Sequence, residues 1–185
     1  MPKISVHFGP SKFKELLLYV AEKSVDDRSF GATKLNKILY FSDFLAYGEF
    51  GEAITGVKYQ RLNHGPAPIP LLPVEAELEQ EGAAQIVEVP QFNWTQKRLI
   101  AKRRPDLSVF SAAEIALVDA VMESLRRLDA SAVSALSHLE RSWQIVGDRE
   151  EIPYEYAFLS SEPMTPKDVA RARAVAAELG LESTT

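Results

Sequence analysis

Apolar positions return every three to four residues along the first fifty residues of the chain, and then the period changes. Phe13, Leu16, Leu17 and Val20 fall at i, i+3, i+4 and i+7, one face of an amphipathic helix with Ser11 as its cap. A second helix is expected from Thr33, whose hydroxyl can accept an orphan backbone N–H. Leu35, Ile38, Leu39, Ser42, Leu45 and Ala46 form its inner stripe, and Gly48 is its stop. Phe41 and Phe44 widen the apolar arc, so this helix is expected to be buried on more than one side and to centre the core.

Beyond Gly51 the β-branched and aromatic residues from Ile54 to Leu62 read as an extended segment, closed by the turn Asn63-His64-Gly65-Pro66. Asn63 and Gly65 tolerate positive φ there, and Pro66 fixes the exit. Pro66, Pro68 and Pro70 bar a regular helix, because each removes an N–H and restrains the residue before it. A short helix follows from Leu72 to Glu81, ending at Gly82. Ala84–Val89 then alternates as a strand, which Trp94–Arg104 could pair with, leaving Pro90 at the margin.

Ser111-Ala-Ala-Glu114 is a capping box ahead of Ile115, Val118, Val121, Met122 and Leu125. Ser131 opens a shorter helix whose inward positions are Val133, Leu136 and Leu139. A last helix, from Thr165 to Gly180, is mostly polar. The prediction is an α+β fold, mainly helical: a compact helical domain over residues 1–160 with a small antiparallel β element, then a peripheral helix and tail over 161–185.

Composition narrows the function more than the fold. The 185 residues are 46% hydrophobic and 25% charged, enough apolar material for one core. The net charge of −5 works against binding nucleic acid or an anionic membrane. The absence of cysteine removes disulfides, thiolate metal sites and a cysteine nucleophile, and fits a reducing cytoplasm. Leu16–Ala21 is shorter than the roughly 7–15 residues of a signal-peptide core. Pro66–Val74 is likewise shorter than the ~20 residues that cross a bilayer. A cytoplasmic protein is expected.

Candidate chemistry is sparse. The histidines, His7, His64 and His138, are scattered and accompany no cysteine, which disfavours zinc. No spacing signature joins His64 to Ser42, Asp43, Glu49 or Glu52, and a triad of Ser137, His64 and Asp43 is one arbitrary choice among many. The glycines carry no phosphate-loop spacing. Lys97–Arg104 is the one dense basic run, read either as a nucleic-acid footprint or as a solvated strand edge. No catalytic residue, cofactor or metal site is predicted.

Taken in order, several segments resemble one family. Lys34-Leu-Asn-Lys37-Ile-Leu-Tyr-Phe-Ser-Asp43 is similar to its lysine-containing helix. Gly48 and Val57-Lys-Tyr59 lead to His64-Gly65-Pro66, which resembles its aromatic-Gly-Pro turn. Leu107–Glu114, then Ala132–Ser137 with His138 and Trp143, then Ile152-Pro-Tyr-Glu155, match its later landmarks. The chain thus resembles the Panacea domain, the SocA-like antitoxin family, across residues 11 to 158. It departs from the pattern at His64, where an aromatic is common, at Leu139 and Glu140, and in the helix from Thr165.

The resemblance implies a non-catalytic antitoxin that neutralises a cognate toxin, encoded by the adjacent gene, through direct protein contact, with delivery to a protease as a variant. An acidic antitoxin suits toxins that act on RNA or nucleotides with basic sites. The expected contact residues are Tyr40, Tyr47, Tyr59, His64 and Trp143, with core packing as the rival role, above all for Tyr40 and Trp143. Asn63, Gly65 and Pro66 are expected to shape the turn. Self-association of copies is open. The competing functions are a transcriptional regulator that uses Lys97–Arg104 and a hydrolase centred on His64 or His138.

Overall fold

The computed structural model describes residues 8–90 and 94–159, together with 167 and 170. His7 and the helix expected over 165–180 lie, apart from those last two positions, outside the described residues.

Helix α1 (Pro10–Lys23) begins two residues earlier than the pattern indicates. Gly9 is its N-cap and Pro10 opens its first turn, so Ser11 sits inside the helix and caps nothing. A proline at the first position, with φ preset and no N–H to satisfy, fixes that start. The Gly9 N–H is spent on the Thr55 carbonyl at 3.0 Å, anchoring the helix to the loop before the first sheet. Leu16 through Ala21 are all buried.

Helix α2 (Ala32–Phe50) is capped by an extended Gly31, not by Thr33, and runs through Gly48. It stops at Gly51, whose φ of 78° lets its N–H return to the Tyr47 carbonyl at 3.0 Å. Termination needs a residue in the left-handed region, which Gly51 takes and Gly48 does not. As expected, α2 is buried around most of its circumference, with Lys34, Lys37 and Asp43 inside alongside Leu35, Ile38, Leu39 and Tyr40. Leu45, placed on the inner stripe by its spacing, is half exposed instead.

Strands β1 (Tyr59–Leu62) and β2 (Gly65–Pro68) form a tight antiparallel hairpin in which Leu62 faces Gly65 and Tyr59 faces Pro68. Its prolines are tolerated because β2 lies at an edge of the three-stranded sheet, in the order β2-β1-β5, where β5 is Glu151–Ile152. Helix α3 (Leu71–Gln80) leads through Gly82, at φ 69°, into the hairpin of β3 (Ala84–Pro90) and β4 (Thr95–Ala101), paired from Ala84↔Ala101 to Pro90↔Thr95. The antiparallel pair expected there is present; the second sheet was not foreseen.

Helix α4 (Ala112–Leu125) carries the predicted capping box in both directions: Ser111 Oγ accepts the Glu114 N–H at 3.2 Å, and the Ser111 N–H donates to Glu114 Oε2 at 2.7 Å. Helix α5 (Ala130–His138) is capped by Asp129, not Ser131. The Asp129 backbone is extended and its Oδ1 accepts the Ala132 N–H at 2.8 Å. The inward face of α5 is Val133, Ser134 and Ser137, while Leu136 and Leu139 point to solvent. That correction has a physical reason: α5 rests on the β1–β2 turn, whose carbonyls need hydroxyl donors rather than methyl groups. A short helix α6 (Arg141–Gln144), strand β5 (Glu151–Ile152) and a 3₁₀ turn (Tyr154–Phe158) close the domain. The result is mainly helical α+β, and among the described residues no helix is long and apolar enough to cross a membrane.

Candidate functional site

Residues from α2, α5 and α6 converge on the β1–β2 turn. Three of its backbone carbonyls are taken by side chains from these helices. Trp143 Nε1 donates to Leu62 at 3.2 Å, Ser134 Oγ to His64 at 3.0 Å, and Lys37 Nζ to Pro66 at 3.0 Å. His138 Nε2 is buried without a hydrogen-bond partner. Each donor rigidifies a loop that would otherwise fray in solvent.

Gly65 makes this convergence sterically possible. Its φ is 96°, and a Cβ there would meet Lys37 Cε at 2.5 Å and Ser137 Oγ closer still. Asn63, expected to share the left-handed role, keeps a negative φ. Within the turn Gly65 alone carries the positive φ, at the point where the chain re-enters the ladder after Asn63 and His64.

The aromatic expectations divide. Tyr40, Tyr47 and Tyr59 are each 1% exposed or less and lie in the core, so their rings are closed to a partner. Tyr40 packs on Phe44 at 4.3 Å between centroids, Phe44 on Tyr154 at 4.8 Å, and Tyr47 on Tyr154 at 5.4 Å. At the centre Asp43, fully buried, accepts hydrogen bonds from the Thr55 N–H at 2.8 Å, the Thr55 hydroxyl, Tyr59 Oη at 2.8 Å and Tyr154 Oη at 3.3 Å. Burial pushes its carboxyl up, and those donors hold it back. A large aromatic with one hydroxyl is best buried when a partner waits inside: Tyr59 finds Asp43, and Tyr40 finds the Ser142 hydroxyl. Trp143 is half-buried beneath the turn: His138 stacks on it at 4.0 Å and the Arg61 guanidinium lies 4.3 Å over its ring. Of the five expected contact residues, His64 alone stands fully out, with its carbonyl held and its imidazole in solvent.

Two cavities flank His64. One, about 310 Å³, is lined by Thr33, Asn36, Lys37, Asn63 and Arg149; the other, about 720 Å³, by Trp94, Asp129, Ser134, Ala135 and His138. His64 and Thr33 border both. Burial and the neighbouring Lys37 charge hold the His138 imidazole below its ordinary range, so it is neutral near pH 7. Exposed Leu136 and Leu139, the latter 64% exposed, extend the apolar rim along α5. Sequence periodicity hid these two by placing them inward.

The triad weighed from the sequence is not formed. Ser137 Oγ donates to the Ser134 carbonyl at 2.8 Å, and Asp43 is committed to Thr55, Tyr59 and Tyr154, so the triad with His64 is not brought together. Among the described residues no group of three or more His, Asp or Glu side chains is placed to hold a metal. The basic run is also partly consumed. Arg103 makes a bidentate pair with Glu15 at 2.6 and 2.8 Å, and Arg98 donates to the Ser24 carbonyl at 3.2 Å. These arginines fasten β4 and its exit to α1.

Comparison with known proteins agrees with the geometry. Residues 35–144 match the family described as antitoxin SocA-like, Panacea domain. The chain belongs to this family. The match takes in nearly all of α2, the turn, α4, α5 and α6, the elements that build and clamp the site around His64. No curated protein and no solved structure matches the chain.

Proposed function

We propose that this Panacea-domain protein is an antitoxin that acts in the cytoplasm and neutralises a cognate toxin, the product of the adjacent gene, by direct contact. The contact face is the surface around the β1–β2 turn: His64 at its tip, Trp143 beneath it, and Leu136 and Leu139 beside it. Residues 1–160 form the binding unit, with 161–185 as its appendage.

The observation that carries this reading is the coincidence of the family match, 35–144, with the elements that hold the turn rigid. A rigid tip with exposed apolar neighbours loses little conformational entropy on docking. Support also comes from the chain's charge of −5, which suits a basic toxin surface. The nucleic-acid alternative gains nothing comparable, since Arg98 and Arg103 are engaged internally.

Co-expression tests the reading. Growth should be arrested by the neighbouring gene product alone and restored when this protein is supplied. Leu139→Glu should abolish rescue while the purified variant keeps the helical signal and melting temperature of the parent. A neighbour that is harmless alone, or toxic despite the wild-type protein, rules the reading out.

A further inference from the structure

Two lysines one turn apart on α2 are both 1% exposed, and they are treated very differently. Lys34 Nζ is saturated: Asp27 at 2.7 Å, Ser29 Oγ at 2.8 Å, and the carbonyls of Arg126 and Leu128 at 3.0 and 2.8 Å. Lys37 Nζ has the Pro66 carbonyl as its hydrogen-bond partner, and among the described residues no carboxylate lies within ion-pairing distance of it. Folded proteins rarely leave a buried amine without a counter-charge unless something supplies one.

Lys37 is also not sealed in. It lines the 310 Å³ cavity beside His64, and the bare backbone of Gly65 passes over its chain where any Cβ would collide with Cε. The same cavity holds Asn36, whose buried Oδ1 has no hydrogen-bond partner. Two unfinished polar groups, one cationic and one an amide able to donate and accept, thus face one space.

We infer that this cavity is a receptor for a carboxylate carried by a partner polypeptide, with Lys37 as its counter-charge and Asn36 meeting the adjoining main-chain amide. This deepens the antitoxin reading by naming what the toxin would insert. Besides Lys37, the basic side chain at the rim is Arg149, and the exposed imidazole of His64 borders the space. Asp148, the carboxylate at the rim, is itself 3.9 Å from Arg149. The first turn of α2, which borders the cavity, has neither an acidic residue nor a side-chain cap, so its N–H groups add positive potential.

Burial depresses the Lys37 amine to about 7, so an anion that pairs with it must bring a proton along. Binding should then be about tenfold weaker at pH 8 than at pH 6. The neighbouring imidazoles of His64 and His138 survive a Lys37 substitution, which separates their contribution.

The test follows the Lys37 side-chain resonances by NMR in full-length protein during titration with capped tripeptides. Ac-Gly-Asp-Gly-NH2 and Ac-Gly-Glu-Gly-NH2 should shift Lys37 and the amides of Asn63–Gly65, tenfold more weakly at pH 8, and Ac-Gly-Asn-Gly-NH2 should not. A response to Ac-Gly-Gly-Gly-OH in place of these supports the carboxylate site with a chain terminus as its source. In Lys37→Met, checked for folding by its amide spectrum, binding and its pH dependence should vanish together. No shift with any carboxylate, equal shifts with the Asn peptide, or an undiminished pH dependence in Lys37→Met overturns the inference. Because the titration uses no toxin, its failure leaves the antitoxin reading standing, and a failed rescue by co-expression leaves the titration standing.

Discussion

Replacing Lys37 by methionine should make the protein more stable near neutral pH, and the gain should disappear as the pH rises. In the folded chain the amine is buried against the Pro66 carbonyl and titrates at about 7, against an ordinary 10.5. Between those values the unfolded chain holds a proton the folded chain has released, so wild-type stability climbs with pH by about 1.4 kcal/mol per pH unit. At pH 7.5 the wild type therefore lies about 4 kcal/mol below its high-pH stability on account of this one group. Methionine of similar length carries no such penalty but strands the Pro66 carbonyl, at a cost of about 1–2 kcal/mol. The variant should lead by about 2–3 kcal/mol at pH 7.5, and the lead should shrink by about 2.5 kcal/mol by pH 9.5. Urea unfolding of both proteins at several pH values measures this. The difference between them cancels titrations they share, including Glu75, pushed up to about 7 by burial, and the raised tyrosines. A difference that stays constant with pH, or a Lys37→Met protein less stable than wild type at pH 7.5, would refute the reasoning.

Other substitutions probe the remaining supports. Asp43→Ala leaves the Thr55 N–H and hydroxyl and the Tyr59 hydroxyl without an acceptor in the core, while Tyr154 keeps the Val57 carbonyl at 2.7 Å. A loss of about 3–5 kcal/mol is expected, read as a large fall in the urea midpoint. Gly65→Ala forces an L-residue to φ 96° and into Lys37 and Ser137, and should cost more than about 2 kcal/mol and disorder the turn amides in an NMR spectrum. Ser111→Ala removes one arm of the α4 capping box and should cost about 1 kcal/mol, measured by thermal unfolding, without affecting toxin rescue.

Legibility in the sequence followed the range of the interaction. The capping box at Ser111, the β3–β4 pair, the helix ending near Gly82 and the many-sided burial of α2 were readable because each depends on residues within a few positions of one another. Caps were misplaced by two residues where a competitor stood nearby: Gly9 over Ser11, Gly31 over Thr33, Asp129 over Ser131. The turn at His64 was recognised, but not what holds it. Its donors sit 29 residues upstream at Lys37 and some 70 to 80 downstream at Ser134 and Trp143, and no local period encodes such pairings.

What the amino-acid sequence determined alone was the class of fold, the positions of its helices and hairpins, and the landmarks that place it among the SocA-like antitoxins. Hydrophobic period and turn chemistry act locally, so they survive without knowledge of what packs on what. Only the tertiary structure decided which polar groups found partners. It drew Tyr40, Tyr47 and Tyr59 into the core, with Tyr59 on Asp43, turned Leu136 and Leu139 outward, and gave Lys34 a full shell while leaving Lys37 one carbonyl and an open cavity. Two lysines spaced three residues apart on one helix read alike in sequence; their difference arises from segments that meet them across the fold.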